Sequence, residues 1–516
     1  MKKKFIVFLF LLATMFSGVY AAESSVDGYI IKIKDDYQTQ NAKISLMSKE
    51  NNFNSLQPIS KDWGMYYISK EEYESFDKSI IEYADPDLDI YLLDDVVNDE
   101  YYNLQWNMPM INAEYAWNFN YLGSGIKVGV IDSGTSPTHP DLINSVKAAY
   151  DMSDGKTLED NLDPPDGTTI SGQDKFGHGT KVSGIIAAQM NNEIGVAGLS
   201  QAELYSFNII TSSGKGKVSD FVSAMEAALE LKCDIINMSI GFTVDSSQET
   251  DVDELQSVSE ALAKLNDAGI IVVAASGNNA SDEKDKNKPN YPAYSDKVIG
   301  VGAVDMYKKI AYYSTHNDKV DISAPGGGGT SLSKGVYSTS LNNSYGYDSG
   351  TSFASPHVAA AAAVIKGIIP NLNHDNFEKI IKYASDDVTK KGYSEYYGWG
   401  VLNIKKMIDL ANPKSTAVYM STPVYDKTAN ELSIDIFNPS QISAKENICV
   451  ILAVYSNNTL QYVSDIQYKT IAPFSEKTVV FGDVSVNENS SVKVMCFTDI
   501  ANISPVCEPA VLSNAE

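Results

Sequence analysis

Cysteine is scarce in this sequence: four residues in 516, too few to staple a chain of this length as a disulfide scaffold. Cys233 precedes an apolar run and reads as a small buried hydrophobe. Cys449, Cys496 and Cys507 lie together near the C-terminus, where one bridge can form, one thiol is left over, and the pairing stays open. Positive charge is also short, with 40 Lys and Arg against 66 Asp and Glu, a formal balance of −26. That deficit argues against a nucleic-acid partner and for a soluble, acidic, cation-binding protein. No long apolar run follows the first residues, so no transmembrane anchor is expected in the mature chain. Histidine is rare as well, at five residues, which makes the surroundings of each one informative.

What is present divides into four stretches. Met1-Lys2-Lys3-Lys4, an apolar run from Phe5 to Phe16, and small residues before Ala21 read as a secretory signal peptide over residues 1–21. The protein is therefore expected outside the cell, free or associated with the cell surface. Residues 22–97 form a small α+β unit, with strands at Tyr29 to Lys34 and Ile80 to Asp87 and a short helix from Glu71. From residue 98 to 412, buried strands such as Ile126 to Ile131, Ile235 to Met238 and Ile270 to Ala275 alternate with amphipathic helices. That alternation predicts an α/β fold, a mostly parallel sheet with helices on both faces, and a crevice beyond the strands' carboxyl ends. Residues 413–516 read as short alternating strands separated by turns, the pattern of a β-sandwich. They hold no cluster of acid, base and nucleophile.

The candidate chemistry sits in three glycine-flanked turns. Gly350-Thr351-Ser352-Phe353-Ala354-Ser355-Pro356-His357 runs into the alanine block Ala359 to Ala363 and predicts a turn that delivers Ser352 to a helix N-terminus. Alone, Ser352 would pass as a helix cap. Asp132 closes a buried strand, where a lone carboxylate needs a partner, and His178 stands between two glycines with both ring nitrogens accessible. Together they suggest a relay in which Asp132 orients His178 and His178 takes the Ser352 proton.

The motifs Val130-Ile131-Asp132-Ser133-Gly134, Gly177-His178-Gly179-Thr180, Asn237-Met238-Ser239-Ile240-Gly241, Ala274-Ala275-Ser276-Gly277-Asn278 and Gly350 to His357 resemble those of the subtilisin-like serine proteases, and the order Asp, His, Ser is theirs. The resemblance runs from about Tyr101 to Asn403. It implies a doubly wound subtilisin-like domain acting as a serine endopeptidase on polypeptide substrates through Asp132, His178 and Ser352, with Asn278 as the oxyanion donor. It also implies that residues 22–97 are an inhibitory prodomain, an intramolecular partner cut off in cis near Val96 to Asp99. A monomer is expected. The competing reading is a non-catalytic scaffold that keeps its prodomain.

By the same resemblance, an extended substrate lies between Gly214-Lys215-Gly216 and Ser239-Ile240-Gly241. Its first side chain enters a pocket walled by Ala275, Ser276 and Gly277 and reached by Asn290. Asn290 stands where some relatives have glycine, which implies a smaller, more polar pocket. The stretch Asn191 to Val196 resembles the family's calcium loop. That implies a structural Ca²⁺ held by Asp99, Asp141, Asn192 and the carbonyls of Met190, Ile194 and Val196. A second ion is conceivable in the acidic loop from Asp151 to Asp174. Lys181, one turn past the base, is not expected to touch the reaction. Phe353 replaces the usual Met after the nucleophile, which implies tolerance to peroxide. The acidic insertion Thr243 to Glu254 could favour basic substrates.

Overall fold

The computed structural model describes residues 28–34, 57–60, 63–87, 97–162, 172–242, 255–282, 288, 290–328, 334–389, 392–412, 418–440, 444–456, 459–484, 486, 490–497 and 510–513. The chain forms two compact units that divide between Asp94 and Asp95. The first is a four-stranded antiparallel sheet, its strand Gly28–Ile33 paired with Met65–Ser69 on one side and Ile81–Pro86 on the other. The helix Lys70–Ser75 opens on Ser69, whose hydroxyl accepts the Glu72 N–H, a side-chain cap of the usual kind. Ile31, Ile33, Ile68 and Ile80 form its core.

The second unit is built on seven strands: β1 (Lys127–Asp132), β2 (Val146–Asp151), β3 (Glu203–Asn208), β4 (Ile235–Met238), β5 (Ile271–Ala275), β6 (Ile299–Val304) and β7 (Ile322–Pro325). They lie in the order β7-β6-β5-β4-β1-β3-β2, and every pairing is parallel. The order changes direction at β1, so the crevice of a doubly wound sheet falls at its carboxyl end. Asp132 stands there.

Period-two alternation along the strands feeds two cores, as a sheet covered on both faces requires. On one face Ile236, Met238, Val272 and Ala274 pack against α2 (Val218–Glu230) and α3 (Gln256–Asp267). On the other, Val128, Val130, Ile235 and Val273 pack against α1 (His178–Ala187), α4 (Thr351–Ile368), α5 (His374–Ala384) and α6 (Ile404–Ala411). Helix α4 is buried on all sides from Thr351 to Lys366, with Ala359 to Ala363 wholly inaccessible. Small side chains let it lie close to its neighbours: a Cβ added at Gly123 would come within 2.8 Å of the Ala363 backbone. Val97 belongs to this core.

The C-terminal strands make two antiparallel sheets around Glu431–Asn438 and Lys445–Ser456. Leu432, Ile434, Val450, Leu452, Val479 and Val494 share one core, which makes the region a sandwich. It packs on the α/β part through Phe437, whose ring stacks on Tyr383 at 5.0 Å and meets Phe474 edge-on at 5.2 Å. Lys382 bridges Asp435 and Glu476, each at 2.8 Å. Cys233 is buried and unpaired. Cys449 and Cys496 are buried on neighbouring strands, while Cys507 lies outside the described residues. Among the described residues no helix is long and apolar enough to cross a membrane.

Candidate active site

The strand β1 ends in Asp132, fully buried, and the chain then turns through Gly134 at φ +95°. Helix α1 begins one residue after Gly177, at φ +86°, so the two turns meet. Gly179 is required there: a Cβ would fall 2.0 Å from the Gly134 carbonyl oxygen. This close approach brings His178 Nδ1 to 2.8 Å from Asp132 Oδ1, which also accepts the Ser133 N–H at 2.6 Å. With Nδ1–H given to the carboxylate, Nε2 is the lone-pair nitrogen. Burial alone would depress the His178 pKa, but the charge and hydrogen bond of Asp132, helped by Asp348 and Asp174, hold it above the ordinary value.

Ser352 lies in the first turn of α4, 8% exposed. Its carbonyl accepts the Ser239 hydroxyl at 2.7 Å. Ser239 in turn accepts from Asn237 Nδ2 at 2.9 Å, and Asn237 Oδ1 accepts the Ser355 hydroxyl at 2.7 Å. The network pins the front of α4 to the end of β4. Asn278 is oriented from behind, because its Oδ1 accepts both the N–H and the hydroxyl of Thr351, at 2.9 and 3.0 Å. That leaves its Nδ2 to donate forward. A point one Cβ length from Gly350 is 3.0 Å from Ser352 Oγ and 3.4 Å from Asn278 Nδ2, so hydroxyl and amide share a small space.

One cleft of about 460 Å³ is lined by Asp132, His178, Asn278 and Ser352 together. The predicted substrate segments border it in part. Gly214, Ser239, Ile240, Gly241, Ala275, Gly277 and Asn290 line it, whereas Lys215, Gly216 and Ser276 do not. Ser276 is turned away because its hydroxyl donates to the Thr315 carbonyl at 2.9 Å, and a Cβ at Gly216 would fall 2.8 Å from the Ile209 carbonyl oxygen. Asn290 crosses between the walls, giving its Nδ2 to the Ala275 carbonyl at 3.0 Å. Phe176 and Ile210 add apolar rim that the motifs did not signal. The Phe353 ring packs 5.2 Å from the imidazole of His178. Lys181 pairs with Asp348 at 3.2 Å, so it reaches the site only through that charge. The insertion Thr243 to Glu254 lies outside the described residues.

Asp174 is the residue that sequence reasoning undervalued. Buried, it accepts five hydrogen bonds: from Ser133 Oγ, the Phe176 and Gly177 N–H, and the Thr180 N–H and hydroxyl, at 2.7 to 2.9 Å. It ties both turns together and caps α1. The signal was an Asp just ahead of a helix start. Its oxygens are thus fully engaged, and Asp151 likewise accepts from Ser153 and Asn208 and pairs with Lys156. The described ends of that acidic loop therefore offer no open ligand set for a second ion.

Of the expected calcium residues, Asp99 and Asp141 both contact the loop from Asn191 to Val196. Asp99 Oδ2 accepts the Asn191 N–H at 2.8 Å, but its buried Oδ1 has no hydrogen-bond partner. Asp141 accepts from Val196 N at 2.8 Å and Asn192 Nδ2 at 2.7 Å. Burial lifts both carboxyl pKa values, and the charge of Asp141 lifts Asp99 further. The loop turns at Gly195, where a Cβ would fall 2.0 Å from Asp141 Oδ2. Two buried carboxylates, one with an orphan oxygen, suit a hard cation. Asn192 instead turns its Oδ1 to the Ile194 N–H at 3.0 Å.

Comparison with known proteins agrees with this geometry. Residues 123–400 match the model of the subtilase family. Subtilisin DY of Bacillus licheniformis is 35% identical over 301 residues, spanning 58% of this chain and 97% of that relative. Subtilisin E of Bacillus subtilis is 31% identical over 415 residues, 78% of this chain and 98% of its own. Among solved structures, a protease from Pseudoalteromonas arctica superposes with a TM-score of 0.51 at 28% identity, over 62% of this chain and all of that one.

Proposed function

The chain belongs to the subtilase family and is a serine endopeptidase acting on polypeptides, and from that premise we propose how its residues divide the work. Ser352 Oγ attacks the scissile carbonyl carbon while His178 Nε2 accepts the hydroxyl proton. Asp132, hydrogen-bonded to Nδ1, fixes the tautomer and stabilises the imidazolium. The carbonyl oxygen becomes an oxyanion, received by Asn278 Nδ2 and the Ser352 N–H, a free donor of the α4 first turn. As the C–N bond breaks, His178 returns its proton to the leaving amine, and an ester to Ser352 remains. Water then attacks that ester with the same proton relay, releasing the acid and restoring Ser352.

The observation that supports this most is the 2.8 Å contact between His178 and Asp132 in the cleft that Ser352 and Asn278 also line. The substrate backbone runs past Gly214-Lys215-Gly216 and Ser239-Ile240-Gly241, and Asn290 makes the first pocket favour medium apolar or polar side chains over the largest aromatics. Asp99, Asp141 and the carbonyls of Met190, Ile194 and Val196 would hold a Ca²⁺ ion. Asn192 joins only if its amide turns over. Bound there, the ion would supply charge balance for two buried carboxylates, outside the proton relay of Asp132, His178 and Ser352.

Residues 1–21 direct export, 22–97 serve as the inhibitory prodomain, 98–412 are catalytic and 413–516 are accessory. The cut between prodomain and catalytic part falls near Val96 to Asp99, where Val97 is already buried with the second unit. Expression in a protease-free host tests maturation and chemistry together. The native chain should appear in the medium shortened by signal and prodomain, and Ser352→Ala should keep its prodomain. Processing of Ser352→Ala to the native size would rule out self-cleavage.

A further inference from the structure

Away from the cleft, at the start of α5, one grouping of metal-ligating side chains stands out among the described residues. His374, Asp375 and Glu378 bring a ring nitrogen and two carboxylate oxygens within 4.8 Å of one another. The imidazole is 2% exposed, and neither of its nitrogens has a hydrogen-bond partner. Its Nε2 lies 3.5 Å from Glu378 Oε1. Buried polar nitrogens are normally satisfied, because leaving them unpaired costs the full desolvation of the group. Here Nε2 faces the Glu378 carboxylate across a gap that a shared proton or a bound cation can fill, and Nδ1 stays unpaired inside the fold.

We propose that His374, Asp375 and Glu378 bind one divalent cation of borderline softness, zinc being the best match. The helix supplies the geometry: residues i and i+4 share a face, so His374 and Glu378 stack, with Asp375 one position on. The turn is fixed by Asn373, whose side chain accepts the Asn376 N–H at 3.0 Å. Ligand atoms of a tetrahedral zinc stand about 3.3–3.5 Å apart, given bonds of about 2.0–2.1 Å. The present spacing closes to that by small rotations of the two carboxylates, which reach solvent, onto an imidazole that is already held. An imidazole with two carboxylates suits zinc, manganese or cobalt, whereas calcium takes oxygen ligands alone. Asp321, whose carboxylate accepts the Gly300 N–H at 2.7 Å and whose pKa burial raises to about 7, adds negative field from the interior only as it ionises. The rival occupant of the gap is a proton. Burial depresses the His374 pKa, but Glu378, Asp321 and Asp375 outweigh that and raise it.

The two occupants separate by titration. Chelator-stripped, full-length Ser352→Ala is titrated with ZnCl₂ at neutral pH by calorimetry, and with CoCl₂ by visible absorption, in excess calcium. We expect one zinc per chain beyond calcium, a rise in thermal midpoint with zinc, and weakening at acid pH as the ligands protonate. Adding His374→Ala or Glu378→Gln should weaken zinc binding at least ~10-fold, as loss of one of three ligands implies, and should remove the cobalt band. Asp99→Asn should leave zinc binding intact. Glu378 is partly exposed, so Glu378→Gln keeps the test open if His374→Ala fails to fold. Absence of a zinc effect at millimolar metal, or equal binding by Ser352→Ala with and without Glu378→Gln, would overturn the site in favour of a proton-bridged pair.

Discussion

Replacing Asn290 by glycine should open the first pocket, proposed to favour medium side chains, to large aromatics before the scissile bond. The Asn290 amide fills the gap between the two walls. A Cβ at Gly241 would meet its Nδ2 at 2.6 Å, and a Cβ at Gly277 would meet its Cγ at 3.4 Å. The same Nδ2 is committed to the Ala275 carbonyl at 3.0 Å, so the side chain cannot swing aside without losing that bond. Removing it opens the space and frees one carbonyl, which the entering water or substrate can reach. Losing a net hydrogen bond of about 1 kcal/mol should lower kcat/KM on an alanine substrate by no more than about fivefold. Burying a phenylalanine side chain that was excluded gains roughly 1.5–3 kcal/mol, equivalent to about 10- to 150-fold. The assay is hydrolysis of peptide p-nitroanilides that differ only in the residue before the scissile bond. The Phe/Ala ratio of kcat/KM should rise by one to two orders of magnitude. A ratio within threefold of the native one would show that Asn290 does not bound the pocket.

Four further expectations follow from contacts described above. Activity needs neutral His178, so kcat/KM should rise with pH through its elevated pKa; Asp348→Asn removes one raising charge and frees Lys181 nearby, so the acid limb should move to lower pH, less so in high salt. An unmoved limb in the pH–rate profile would refute this coupling. Chelation by EGTA should lower the thermal midpoint, by the equivalent of about 2.7 kcal/mol relative to calcium at 100 times its Kd, and Asp99→Asn should shrink that difference because it removes a buried charge. Phe437→Ala should cost about 3–5 kcal/mol in thermal unfolding, since the ring is wholly buried between Tyr383 and Phe474; a change near zero would mean the sandwich is not anchored there. Mild peroxide should leave most activity, because Phe353 rather than a thioether packs on His178, and rapid inactivation would count against that.

The site was legible in the sequence wherever chemistry demanded a special backbone. Gly179 cannot be anything larger because a carbonyl passes 2.0 Å from its missing Cβ, and such constraints leave glycine signatures around Asp132, His178 and Ser352. The parallel sheet was legible too, since strands buried on both faces read as unbroken apolar runs. What stayed hidden depends on convergence in space. Asp174 looks like any loop acid until Ser133, Gly177 and Thr180 turn their donors toward it. Ser276 reads as a pocket wall, but its hydroxyl finds the Thr315 carbonyl and turns away. The seam at Tyr383 and Phe437 joins residues 54 positions apart, and neither carries a local pattern that forecasts the other.

The burial of α4 ties reactivity to wholeness. Its leading edge carries the reactive hydroxyl, and its alanine shaft runs through the middle of the molecule, touching sheet and helices alike. No partly assembled chain can hold that shaft in place. A half-made molecule is therefore harmless to itself and its neighbours, and the cutting edge exists only once the interior has closed around the rod that bears it.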